Sequence, residues 1–149
     1  MNGRSAEHAT YAIERVYDAS CKRVFEAWSD PAAKSKWFGP TDSPGSLEVD
    51  FRLGGREGFS MVLPDGRTFG YDARFHEIVS DHRIVYAYSV DFDETRISVS
   101  LATVALTPAG DGTRLLYTEQ AVFLDGGDTS ADRERGTSEE LDALAAWLR

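Results

Sequence analysis

One cysteine, two methionines and five prolines in 149 residues deprive several protein classes of their raw material. Cys21 has no internal partner, so a disulfide-stapled secreted scaffold is excluded. Three histidines and one cysteine, scattered without ligand spacing, give no metal signature, and neither a metal nor a cofactor is expected. Long apolar runs are missing too. The longest is about five large residues, as in Ile84–Tyr88, against the ~20 of a membrane-spanning helix. Residues 1–8 hold no apolar core of signal-peptide length, so a cytoplasmic location is expected. Basic residues are in deficit: 16 Lys+Arg against 25 Asp+Glu leave a net charge of −9. That balance repels nucleic acid and anionic membrane surfaces, whose affinities depend on phosphate attraction. There is no Gly-rich phosphate loop, nucleophile elbow or paired-His helix.

What is present is an ordinary folded-protein composition, 42% hydrophobic and 28% charged, in a length typical of one domain. A single domain over 1–149 is expected, with 1–8 as a loose lead-in. Thr10 to Tyr17 reads as a first strand. Cys21, Val24, Phe25 and Trp28 then fall on one helical face behind Ser20, a good N-cap. Asp30-Pro31 opens a second short helix, expected to reach about Lys36 before Gly39-Pro40 stops it. Turn residues fill 41–46. From Leu47 the period is two: Leu47, Val49, Phe51 and Leu53, then Glu57, Phe59, Met61 and Leu63. Pro64-Asp65-Gly66-Arg67 marks a hairpin, and Phe69, Tyr71, Ala73 and Phe75 form the returning stripe. Strands follow at Ile84–Val90 and Thr113–Phe123. Between them Ile97, Val99 and Leu101 are out of phase with Val104 and Leu106, which suggests a bulge or a sharp bend. In the C-terminal helix, Leu141, Leu144, Ala145 and Leu148 share a face. Two capping boxes compete for its start, Thr129 with Asp132 and Thr137 with Glu140. The order is strand, two short helices, six strands and a long helix, an antiparallel meander covered by one helix.

The stretch Val24-Phe25-Glu26-Ala27-Trp28-Ser29-Asp30-Pro31, followed by Trp37-Phe38-Gly39-Pro40, resembles the opening of the activator-of-heat-shock-protein-ATPase homologue family. Gly54-Gly55-Arg56, Glu77-Ile78, Arg83–Tyr86, Thr118-Glu119-Gln120 and Phe123–Gly126 are similar as well. So is Arg133–Thr137, although many members carry Gly-Trp where this chain has Gly136-Thr137. The resemblance covers about residues 9 to 149 and points to a bacterial, polyketide-cyclase-like branch of the START (SRPBCC) superfamily. It implies an α+β helix-grip, Bet v 1-like fold, in which a curved antiparallel sheet of six to seven strands wraps a long C-terminal helix. In many relatives the space between them holds a small hydrophobic molecule. The superfamily also contains enzymes, hormone receptors and co-chaperones, so the fold alone does not choose a chemistry.

Strand alternation nominates Phe59, Met61, Tyr71, Phe75, Tyr86 and Tyr88 for the concave face, as cavity wall or as plain core. Trp28 reads as core. Trp37 and Phe38 either line the mouth or pin a loop. Tyr117 and Glu119 share one face of the last strand. If that face points inward, Glu119 is a buried carboxylate that needs a counter-ion, either Arg15 or Arg133. If Gln120 points inward instead, Glu119 is solvated. His8, His76 and His82 look inert, and Cys21 reads as a buried thiol. Trp147 caps the core or marks a contact in a homodimer. Three functions remain: binding a small hydrophobic molecule, a cyclase- or hydrolase-like enzyme with Glu119 as acid or base, and a protein-binding regulator of a chaperone.

Overall fold

The computed structural model describes residues 4–40 and 46–149. The chain runs β1 (Ala6–Tyr17), α1 (Cys21–Ser29), α2 (Pro31–Lys34), β2 (Glu48–Val49), β3 (Arg56–Val62), β4 (Thr68–Val79), β5 (Arg83–Phe92), β6 (Thr95–Ala109), β7 (Gly112–Leu124) and α3 (Ser130–Leu148). All seven strands join one antiparallel sheet in the order β1-β7-β6-β5-β4-β3-β2. The sheet curls around α3 in the helix-grip α+β arrangement. The one crossover, β7 beside β1, puts the first and last strands in register from Ala6↔Leu124 to Tyr17↔Thr113.

Local signals set most of these elements. The Ser20 hydroxyl accepts the Arg23 amide at 3.1 Å and caps α1. Asp30 closes α1 and opens α2, with Pro31 at the first helical position. Gly66, at φ 88°, turns the β3–β4 hairpin. At the start of α3, the Thr129 hydroxyl accepts the Asp132 amide at 3.1 Å. The first capping box therefore sets the start, and the helix continues unbroken through Gly136.

Four expectations need correction. Residues Ala6, Glu7 and His8 are not lead-in, because β7 extends to Leu124 and offers them ladder partners whatever their side chains. The strand expected over Leu47–Leu53 shrinks to Glu48–Val49. Backbone bonds from Arg52 to Asp50 (3.0 Å) and Gly55 to Arg52 (2.8 Å) turn the chain there, and Phe51 packs against Phe25 and Phe75 from this turn. Helix α2 ends at Lys34, followed by turns to Phe38. The phase slip in β6 is not a bulge between Leu101 and Val104. The inward face runs without interruption through Ser98, Ser100, Ala102, Val104 and Leu106, all buried. Val99 and Leu101 lie exposed on the outer face. The bulged residue is Ile97, skipped between the pairs Val90↔Ser98 and Asp91↔Arg96. The turn read over 41–46 lies, apart from Ser46, outside the described residues.

Candidate functional site

Between α3 and the concave sheet face lies a cavity of about 260 Å³. Trp28, Trp37 and Phe38 wall it from the α1–α2 side, Phe59, Phe69, Tyr71, Tyr86, Tyr88, Val90 and Tyr117 from the sheet, and Arg133, Thr137, Glu140 and Leu141 from α3. Asp128, Asp132 and Gly136 complete the rim. Asp132 and Gly136 are solvent-exposed, so the cavity opens beside the first turns of α3. Arg133, Thr137, Glu140, Leu141 and Leu144 follow helical spacing, so one face of α3 turns from polar at the mouth to apolar at depth.

Trp37 serves both of the roles left open for it. Its indole N–H donates to the Ala27 carbonyl at 3.0 Å, which pins the loop, and its ring is part of the wall. Gly39 follows at φ 72°, and a β-carbon there would come within 3.0 Å of the Phe59 ring. Glycine thus lets the loop press onto the mouth. The Trp28 indole N–H is buried and has no hydrogen-bond partner among the described residues.

Glu119 points inward and is 0% exposed, while Gln120 faces out. Register explains its surroundings. Tyr11 lies opposite it on β1, Tyr117 is two residues back on the same face, Ser100 is diagonal on β6, and Tyr88 lies opposite Ser100 on β5. Oε1 accepts the hydroxyls of Tyr11 and Tyr117, both at 2.7 Å. Oε2 accepts those of Tyr88 and Ser100, both at 2.6 Å, and Arg133 Nη1 at 3.4 Å. Burial first, and then the charge of Glu119 for Tyr11 and Tyr88 and the neighbouring phenols for Tyr117, push the pKa values of these three tyrosines up, so they stay protonated donors. For Arg133, burial opposes the charge. Tyr88, Glu119 and Asp128 outweigh it and hold the pKa above its ordinary value. Arg133 also donates to the Tyr88 hydroxyl (3.0 Å), Ser98 (2.7 Å) and Asp128 (3.1 Å).

Of the two counter-ions proposed for Glu119, Arg133 is the one in place. Arg15 lies at the sheet edge, where it binds Ser138 (2.6 Å) and Asp142 (3.4 Å) on α3. Glu119 itself is behind the wall that Tyr88 and Tyr117 form, with both oxygens filled. Met61 and Phe75 also fall outside the cavity. Met61 is half-buried at the hairpin end of β3, and Phe75 is in the packed core against Phe51 and Tyr86. Trp37, Phe59, Tyr71, Tyr86, Tyr88 and Tyr117 do line it. Cys21 is half-buried, its sulfur 3.4 Å from the Thr113 hydroxyl. Trp147 is also half-buried, beneath the Arg23 guanidinium at 5.1 Å.

Sequence reasoning missed two further features. Lys34 and Glu57, each 1% exposed, form an ion pair of 2.6 Å. The Tyr71 hydroxyl donates to the other Glu57 oxygen at 2.7 Å, and the Lys34 ammonium stands over Phe38 (4.6 Å), Trp28 (4.9 Å) and Tyr86 (5.7 Å). Glu57 was in phase with Phe59, which was a usable signal. Nothing in a four-residue helix marked Lys34. The second feature is Glu140, a half-buried carboxyl on the cavity wall that accepts the Gly39 amide at 3.4 Å. Burial pushes its pKa up to about 7. The Gly39 amide and Lys34 pull it down, and Glu57 and Glu119 push it further up. Its signal was its place beside Leu141 and one turn before Leu144, on the stripe itself.

The family described as Activator of Hsp90 ATPase homolog 1-like protein matches residues 18–149. The chain belongs to this family. A structure of an uncharacterised protein from Rhizobium leguminosarum is 46% identical, with 97% of each chain covered and a TM-score of 0.92. Mll3558 from Rhizobium loti is also 46% identical, covering 97% of this chain and 99% of that one, with a TM-score of 0.91. CalU16 from Micromonospora echinospora shares the fold at 19% identity and TM-score 0.68, over 98% of this chain and 85% of that one. No curated protein matches the chain. No helix among the described residues is long and apolar enough to cross a membrane.

Proposed function

We propose that this member of the family binds a small molecule with one or two rings in the cavity beneath α3. The observation that carries the reading is an aromatic-walled space onto which a few polar groups converge: Tyr88 and Tyr117 from the sheet, Arg133 and Glu140 from the helix. Small-molecule sites have this composition, largely apolar with a few placed polar groups. At about 260 Å³ the space is just under the roughly 300–1,000 Å³ of drug-sized pockets, which suits fused rings better than a long acyl chain. Glu119 is a poor acid or base for turnover, because all its lone pairs facing the protein are engaged. Its role is to hold the tyrosine wall in place. Native mass spectrometry of freshly purified protein tests the reading. A stoichiometric small molecule is expected, and it should be lost in Val90→Phe, which fills the cavity from β5. A bare chain that also fails to bind any compound of a ring-based panel would refute it.

A second reading, regulation of a chaperone ATPase, draws on the family and on Val99, Leu101 and Leu116, which are exposed on the sheet face away from α3. Hsp90 ATPase rates with and without the chain decide it. Equal rates at micromolar protein would remove this reading.

A further inference from the structure

Three carboxylates reach the interior of the grip among the described residues, and they are not equally satisfied. Glu119 takes four hydroxyl donors and Arg133. Glu57 takes Lys34 and Tyr71. Glu140 has the 3.4 Å amide of Gly39 and forms no ion pair among the described residues, yet it is the one of the three that lines the cavity. The other charges nearby are committed. Arg133 lies between Glu119 and Asp128. Lys34, under the Trp28, Phe38 and Tyr86 rings, is neutralised by Glu57 at 2.6 Å. Asp132 at the rim pairs with Arg135 at 2.8 Å. Among the described residues the wall therefore carries three acidic side chains, Asp128, Asp132 and Glu140, against one basic one, in a chain of net charge −9. A half-buried acceptor among ring faces, with an acidic rim, complements a cation. The carboxylate offers a charge-assisted hydrogen bond, the rings offer cation–π attraction, and the rim draws the charge inward.

We propose that the molecule bound here carries a protonated amine on a small aromatic or apolar frame, and that Glu140 receives the ammonium. This rests on the reading of the cavity as a ligand site. An anionic ligand would place its charge against Glu140 with Arg133 already engaged. A neutral one would leave Glu140, among the described residues, with only the long Gly39 amide bond.

Calorimetric titration with three compounds of one ring system separates the possibilities: 1-naphthylmethylamine, 1-naphthalenemethanol and 1-naphthoic acid, at pH 7.5. The amine is expected to bind at least tenfold tighter than the alcohol, and the acid weakest. In Glu140→Gln the amine's advantage should fall to within about twofold, with near-ultraviolet circular dichroism confirming the native aromatic packing. Protonation of Glu140 removes the acceptor charge. Between pH 8 and pH 5, amine affinity should therefore fall in the wild type much more than in the variant. The groups facing Glu140 from other elements, Lys34 on α2, Glu57 on β3 and Glu119 on β7, are present in both proteins, so the difference reports Glu140 itself. An alcohol that binds as well as the amine, or an acid that binds best, would overturn the proposal while leaving the cavity reading intact. A tenfold amine preference or a pH dependence that survives in Glu140→Gln would transfer recognition to Asp128 and Asp132 and overturn it too. Failure of all three compounds to bind would take down the cavity reading with it.

Discussion

Replacing Glu119 by Gln should destabilise this fold severely, although the change is nearly isosteric. The carboxylate accepts four hydroxyl bonds between 2.6 and 2.7 Å from residues on β1, β5, β6 and β7, so it ties four neighbouring strands together. A glutamine has one acceptor oxygen. Arg133 cannot accept a hydrogen bond, so the oxygen must face Arg133, Tyr88 and Ser100. The amide NH₂ then confronts Tyr11 and Tyr117, whose hydroxyls have to turn away. Hydrogen bonds to an ionised group contribute about 1.5–3 kcal/mol each against about 0.5–1.5 for neutral ones, so four downgraded bonds lose about 4 kcal/mol. Breaking a buried ion pair from one side alone costs ~3–5 kcal/mol, the same range. For a chain of this length that is a fall in Tm of about 10 °C. Urea unfolding followed by fluorescence of the buried Trp28 and Trp37 measures it. A loss below about 1 kcal/mol would refute the reasoning, because Glu119 would then not be the ionised hub of the network.

Lys34→Met should lose about 3–5 kcal/mol by leaving Glu57 buried without its cation, and the double variant Lys34→Met/Glu57→Gln should recover at least half of that in urea unfolding. Glu140 has a folded-state pKa of about 7, above its ordinary value near 4.5. The native state therefore holds the proton more tightly, and this contribution, full below pH 4.5, is lost as pH rises through 7. Glu140→Gln should be the more stable protein by about 3 kcal/mol at pH 8, with the gap shrinking to about 1 kcal/mol by pH 5; a gap that widens toward acid would reverse the sign. Thr129→Ala should cost about 1 kcal/mol, a Tm shift of ~2–4 °C, through loss of the α3 cap.

The fold was largely legible because its signals are local. Ser20 and Asp30 start the two short helices, Asp65-Gly66 turns the hairpin, and the period-two stripe through Tyr71 and Phe75 marks the face that α3 must cover. The errors came where a neighbouring strand or a turn outvoted the pattern. Ala6–His8 pair because β7 is long, and Leu47–Leu53 fails as a strand because the chain folds back at Asp50–Gly55. In β6 the stripe Ile97, Val99 and Leu101 competed in phase with Val104 and Leu106, and the structure leaves Val99 and Leu101 exposed while the inner face carries Ser98 and Ser100, small polar residues that serve Arg133 and Glu119.

The candidate site divides along the same line. Strand alternation by itself placed Tyr71, Tyr86 and Tyr88 on the inner face and put Tyr117 and Glu119 on one common face, since the side-chain period of a strand needs no partner to be read; only pairing with β1 and β6 turned that common face inward. It did not determine which of those residues meet empty space. Phase says inward or outward but nothing of depth, so Phe75 and Glu119 are buried behind the wall while Trp37 and Phe59 form it. Nor did it determine the charge pairs. Lys34 with Glu57, Arg133 with Glu119, and Glu140 with the Gly39 amide are separated by 23, 14 and 101 residues. Only strand register and the seating of α3 bring such groups to hydrogen-bond distance, and a hydrogen bond acts over about 3 Å of space however far apart its partners lie in the chain.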